Sequence, residues 1–98
     1  MKLLIFQLVD PPEDVKVSEV FVDVKENHVP KAVKCEGKGK PRLNYVWRKA
    51  STKEVVAVDD TLVLGRLSKS EEGNYTCEGY NKHGNQSANV YFHVSHCN

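Results

Sequence analysis

The sequence predicts an all-β sandwich, and three observations predict it. Short runs with alternating apolar residues recur about every ten residues, separated by Gly, Pro, Asn and Asp. No segment holds a helical apolar period through three turns. Glu71, Gly73, Tyr75 and Cys77 fall at alternate positions of one run. On a strand this sends Tyr75 and Cys77 to one face and Asn74, Thr76 and Glu78 to the other.

The expected strands follow in order. Val15 to Val24 alternates and reads as the first. Asn27 to Pro30 is a turn. Lys31 to Glu36 is the second strand, with Val33 and Cys35 on one face. Gly37 to Pro41 reads as a loop because of its two glycines. Leu43 to Lys49 is the third, Tyr45 and Trp47 facing in and Asn44, Val46 and Arg48 facing out. Glu54 to Val58 and Thr61 to Gly65 are short, the latter with Leu62 and Leu64 inward. Gly73 to Asn81 is the sixth. Lys82 to Asn85 is a hairpin turn, with Gly84 suited to a positive φ. Ser87 to Val94 is the last, Val90, Phe92 and Val94 on one face and Tyr91 and His93 on the other.

At 98 residues the chain fits one domain. Fourteen basic against thirteen acidic residues leave a net charge of +1, no basis for nucleic-acid binding. The local run Lys34, Lys38, Lys40 and Arg42 reads as a solvated strand end and loop. No apolar run is long enough to cross a membrane. Met1 to Val9 starts like a signal peptide, but Asp10-Pro11-Pro12 stands where a small-residue cleavage site belongs. Residues 1–10 are therefore expected to be a linker or a preceding strand, 11–95 the domain, and 96–98 a C-terminal linker. Of three cysteines, a core-facing Cys77 has Cys35 as its obvious partner. Cys97 is left to pair with a neighbouring domain, to dimerise chains, or to stay a thiol.

Cys35, Trp47, Leu62, Leu64, Leu67, Glu71, Gly73, Tyr75 and Cys77, at these spacings, resemble the immunoglobulin fold. The continuation Cys77, Gly79, Asn81, Gly84 resembles the I-set variety of multi-domain adhesion molecules, which usually carries Ala where Gly79 stands. The resemblance implies an inter-sheet Cys35–Cys77 disulfide with Trp47 packed on it, and a tyrosine corner at Tyr75. Only fourteen residues separate Trp47 from Leu62, so a short, C′-strand form is expected. Its sheets would be A-B-E and G-F-C-C′, lettered in chain order from the seven strands above.

No nucleophile elbow, phosphate loop or carboxylate frame points to an enzyme or a cofactor. His93, His96 and Cys97 are close in sequence but match no zinc spacing, so no metal is expected. The candidate binding face is the outward side of G-F-C-C′: Val46, Arg48, Glu78, Tyr80, Tyr91 and His93. Two N-glycosylation sequons begin at Asn74 and Asn85. The resemblance implies a non-enzymatic, protein-binding module of an extracellular adhesion or receptor protein. Its partner would be another immunoglobulin domain or a protein ligand, a homodimer included. The alternatives are a muscle-filament-type intracellular domain with reduced cysteines, or a secreted or growth-factor receptor module.

Overall fold

A computed structural model describes residues 10–96. They form β1 (Asp10–Val17), β2 (Phe21–Lys25), β3 (Val33–Lys40), β4 (Asn44–Lys49), β5 (Val55–Ala57), β6 (Thr61–Leu62), β7 (Gly73–Asn81) and β8 (Gly84–Ser95), with a 3-10 turn at Lys69–Glu71. Two sheets pack face to face, in the orders β1-β3-β6 and β2-β8-β7-β4-β5.

Alternation builds the core. Val33 and Cys35 of β3 meet Trp47 of β4, Tyr75 and Cys77 of β7, and Val90, Phe92 and Val94 of β8. Leu62 and Leu67 close the same cluster, and Leu64 is half-buried against it because β6 stops at Leu62. Cys35 and Cys77 are disulfide-bonded across the sheets, with Cα atoms 6.5 Å apart. Trp47 is the register partner of Cys77. Closing this loop removes unfolded-chain entropy worth about 4 kcal/mol in the chain-entropy treatment. The Tyr75 hydroxyl donates to the Glu71 carbonyl at 2.9 Å, the expected tyrosine corner. Its ring meets Phe92 edge-on at 5.2 Å.

The expected first strand is corrected. Val15 and Val17 pack inward, and so do Val22 and Val24. Odd positions give way to even ones, which one regular strand cannot do. The break falls at Ser18. Its backbone N–H donates to the Lys34 carbonyl at 2.8 Å, and its hydroxyl accepts from the Lys34 N–H at 2.9 Å. These bonds end the β1–β3 ladder. The Tyr91 N–H then donates to the Val20 carbonyl at 3.0 Å, and β2 runs parallel to β8. The sheets are thus A-B-E and A′-G-F-C-C′, the second larger by one strand than expected. Earlier still, β1 begins at Asp10 and kinks at Asp14, whose φ is +55°, within the second of its two register shifts, between Glu13 and Lys16.

Two further boundaries move. β8 starts at Gly84, leaving Lys82 and His83 as the turn. β3 runs on to Lys40, through residues expected to be loop. A Cβ on Gly37 would lie 2.7 Å from Val15 Cγ2, so the glycine admits the close approach of β1. The Gly37 N–H donates to the Tyr45 hydroxyl at 3.0 Å. Gly79 answers the same crowding from β7. A Cβ there would stand 3.2 Å from Leu43, Tyr45 and Val15 at once. Here the full-sized side chains of Val15 in β1, Tyr45 in β4 and Leu43 just before β4 take the room that alanine would fill. Gly79→Ala should therefore destabilise by about 1–3 kcal/mol, as overpacked cores do. Thermal unfolding checks this, and an unchanged melting temperature would show that the site yields freely.

Candidate protein-binding face

The outward side of the five-stranded sheet is ordered in cross-strand rows. Phe21, Tyr91 and Asn74 form one row across β2, β8 and β7. Asn89, Thr76 and Arg48 form the next, across β8, β7 and β4. Ser87, Glu78 and Val46 follow, then Asn85, Tyr80 and Asn44. Beyond the first row, Asp23 pairs with His93. All the expected face residues lie on this surface, but in two groups.

Val46, Arg48, Glu78 and Tyr80 make the first group. Arg48 Nη1 donates to Glu78 Oε1 at 2.9 Å. A half-exposed ion pair of this kind contributes little stability, about 0–1 kcal/mol. Its effect is positional, as a ridge between two open depressions. One, of about 350 Å³, is lined by Val46, Tyr80, Asn81, Gly84 and Asn85. The other, of about 340 Å³, is lined by Ala50, Lys53, Thr76 and Ser87. Val46 is only 9% exposed, although its strand position faces out, whereas Tyr80 is 41% exposed. An apolar base beside an accessible aromatic ring is the arrangement of an interface anchor.

Tyr91 and His93 make the second group, together with Phe21. The Phe21 ring lies parallel to Tyr91, 6.0 Å away, and to His93, 6.3 Å away. His93 Nδ1 is 3.1 Å from Asp23 Oδ1, and its Nε2 is 3.7 Å from Glu72 Oε1. Glu72 is a hub. Its Oε1 accepts from the Val94 N–H at 2.9 Å and from Lys69 Nζ at 3.0 Å, and its Oε2 accepts from the Tyr91 hydroxyl at 3.3 Å. The Val94 N–H, followed by Lys69, holds the Glu72 carboxyl below the usual glutamate range. Glu71 is lowered too, first by the Ser68 N–H, 2.9 Å from its Oε1. Burial, then the Glu71 and Glu54 charges, pushes the Tyr75 phenol up.

Asn74 and Asn85 are both exposed, and each faces an outward tyrosine across the ladder, Tyr91 and Tyr80 respectively. Phe21, Asp23 and Glu72 are absent from the expected face. The phase slip between Val17 and Val22 was the available signal for the first two, while nothing in the spacing of Glu72 marks it. No group of three His, Cys, Asp or Glu side chains among the described residues is arranged to hold a metal. Cys97 lies outside the described residues.

No model of a known protein family matches the chain. Among solved structures, one that explains Dscam isoform specificity superposes with a TM-score of 0.76 at 17% identity, over 89% of this chain and 22% of that one. This chain has the immunoglobulin fold. Among curated proteins, the domain is 31% identical over 71 residues to human Matrix-remodeling-associated protein 5, 64% of this chain and 2% of that protein. It is 38% identical over 58 residues to human Cell adhesion molecule 4, 55% of this chain and 15% of that protein. The immunoglobulin-like domain thus spans a small part of either relative.

The lowered carboxyls set an acid sensitivity for this immunoglobulin-like domain. A carboxyl lowered in the folded state stabilises it above the unfolded value, and that contribution is lost as pH falls through the folded value. Stability should therefore decline as pH drops below 4.5, the ordinary glutamate value. Melting temperatures measured across this range should fall less steeply for Glu71→Gln/Glu72→Gln than for the parent. Equal slopes would assign the decline to other groups.

Proposed function

We propose that this domain is a non-enzymatic protein-binding module of an extracellular adhesion or receptor protein. Contact centres on Val46, Arg48, Glu78 and Tyr80, with Tyr91 and His93 at the margin. The carrying observation is the Arg48–Glu78 ridge, which flanks an apolar-based depression beside an accessible tyrosine. The partner is a protein surface, another immunoglobulin-like domain or a second copy included. An aromatic or aliphatic side chain would seat in the depression, and polar groups would meet the ridge. The disulfide supports an oxidising, extracellular setting. Similarity to Cell adhesion molecule 4 supports an adhesion role.

Two measurements test this. Alkylation of the unfolded, unreduced chain should add at most one label, on Cys97; three labels would return the domain to a reduced, intracellular setting. In the ectodomain carrying this chain, Tyr80→Ala and Arg48→Ala should each weaken association about tenfold or more, the loss expected at an anchor. Melting temperatures should stay unchanged, since both side chains lie outside the core. Association unaltered in both variants refutes the face.

A further inference from the structure

We infer that Asn74 carries an N-linked glycan whose first sugars lie on the Tyr91–Phe21 strip. The inference rests on the extracellular reading above and assigns the end of the sheet which that reading leaves at the margin.

Three observations meet there. Asn74 begins the sequon Asn74-Tyr75-Thr76 on an outward strand position, and it is exposed. Its register partner is Tyr91, whose own partner on the far side is Phe21. Phe21 is 55% exposed, a large apolar side chain whose ring neighbours among the described residues are the parallel Tyr91 and His93. With strands about 4.8 Å apart, the row from Asn74 to Phe21 spans about 10 Å. A short run of sugar rings leaving Asn74 toward β2 therefore lies along both aromatic rings. Polarised C–H bonds on the apolar side of a pyranose suit the negative face of an aromatic ring.

The attachment is an ordinary group transfer. Asn74 Nδ2 bonds to the anomeric carbon of a polyprenyl-diphosphate-linked oligosaccharide. The bond from that carbon to the diphosphate oxygen breaks, the diphosphate departs with the electron pair, and the amide gives up one proton. The second sequon differs in its surroundings. Asn85 faces Tyr80, which forms no aromatic pair among the described residues, and it borders the depression assigned to protein contact. The Asn74 glycan covers the β2–β8 end and leaves the Arg48–Glu78 ridge open.

The test secretes the 98-residue chain from a mammalian host behind a leader. N-glycans are removed enzymatically in heavy-oxygen water, and peptide masses are read. The expected result is heavy-oxygen aspartate at position 74. Deglycosylation should lower the melting temperature by about 4 °C, the shift that one aromatic contact produces in a domain this small. In Tyr91→Ala, and independently in the exposed-site variant Phe21→Ala, that shift should shrink. N-acetyl methyl protons of the first sugar should resonate upfield of their position in either variant. An unlabelled Asn74 in secreted, disulfide-bonded protein overturns the inference, leaves the extracellular reading standing, and frees the strip for a protein partner. Retention in the cell with reduced cysteines overturns both. A labelled Asn74 with an equal shift in both variants overturns the stacking.

Discussion

The inward lock of β7 governs the rest of this molecule. Cys77 is tied to Cys35 on the opposite sheet, and the Tyr75 hydroxyl is tied to the Glu71 carbonyl. Two residues of one parity are thereby fixed, and every neighbour takes its face from them. A slip of one position would carry Cys77 away from its partner and send Thr76 and Glu78 into the core. Because β7 pairs with β4 and β8 along most of its length, its parity passes to both. Fixing the core thus also fixes which side chains are displayed.

Polar bonding then secures the seams that packing leaves open. Glu72 holds the backbone of β8, the Lys69 ammonium and the Tyr91 hydroxyl through one carboxylate. Asn81 does similar work at the other pole, donating to the carbonyls of Asp10 and Pro41. Gln86 accepts the Val15 N–H, tying the kinked β1 to β8. These side chains sit where strands end or change sheet, which is where backbone groups lose ladder partners. Among the described residues, the Trp47 indole N–H is the one buried side-chain polar atom without a partner. Its position opposite Cys77 is set by packing.

The fold was legible because its signature residues are chemically distinctive and regularly spaced. Cys35, Trp47, Tyr75 and Cys77 reach the positions their alternation requires. What escaped was a change of phase hidden in uniform composition. Valines run through both β1 and β2, so the slip at Ser18 looked like continuity, and Phe21 and Asp23 were lost from the display face with it. Glycines misled in the opposite sense. Gly37 and Gly39 read as loop punctuation, yet they lie within β3, and a side chain on either would strike a neighbour. Val46 was assigned its face correctly by parity, but alternation carries no information on how far neighbours cover a residue. The separation of the display face into two groups depends on side-chain pairing across three strands, which linear spacing does not encode.

The parallel pairing of β2 with β8 has a mechanical consequence. Asp10 lies beside the β7–β8 hairpin, near Asn81, whereas Lys25 and Ser95 finish together at the opposite pole. Tension applied across the domain, before β1 and after β8, therefore pulls β2 and β8 past one another along their length. Phe21 to Lys25 would be loaded as a set against Tyr91 to Ser95, the evenly spaced bonds of a parallel ladder resisting together. Strands arranged to unzip would yield one bond at a time. The short strand that the valine run concealed is thus loaded in shear, not in peeling, along its pairing with β8.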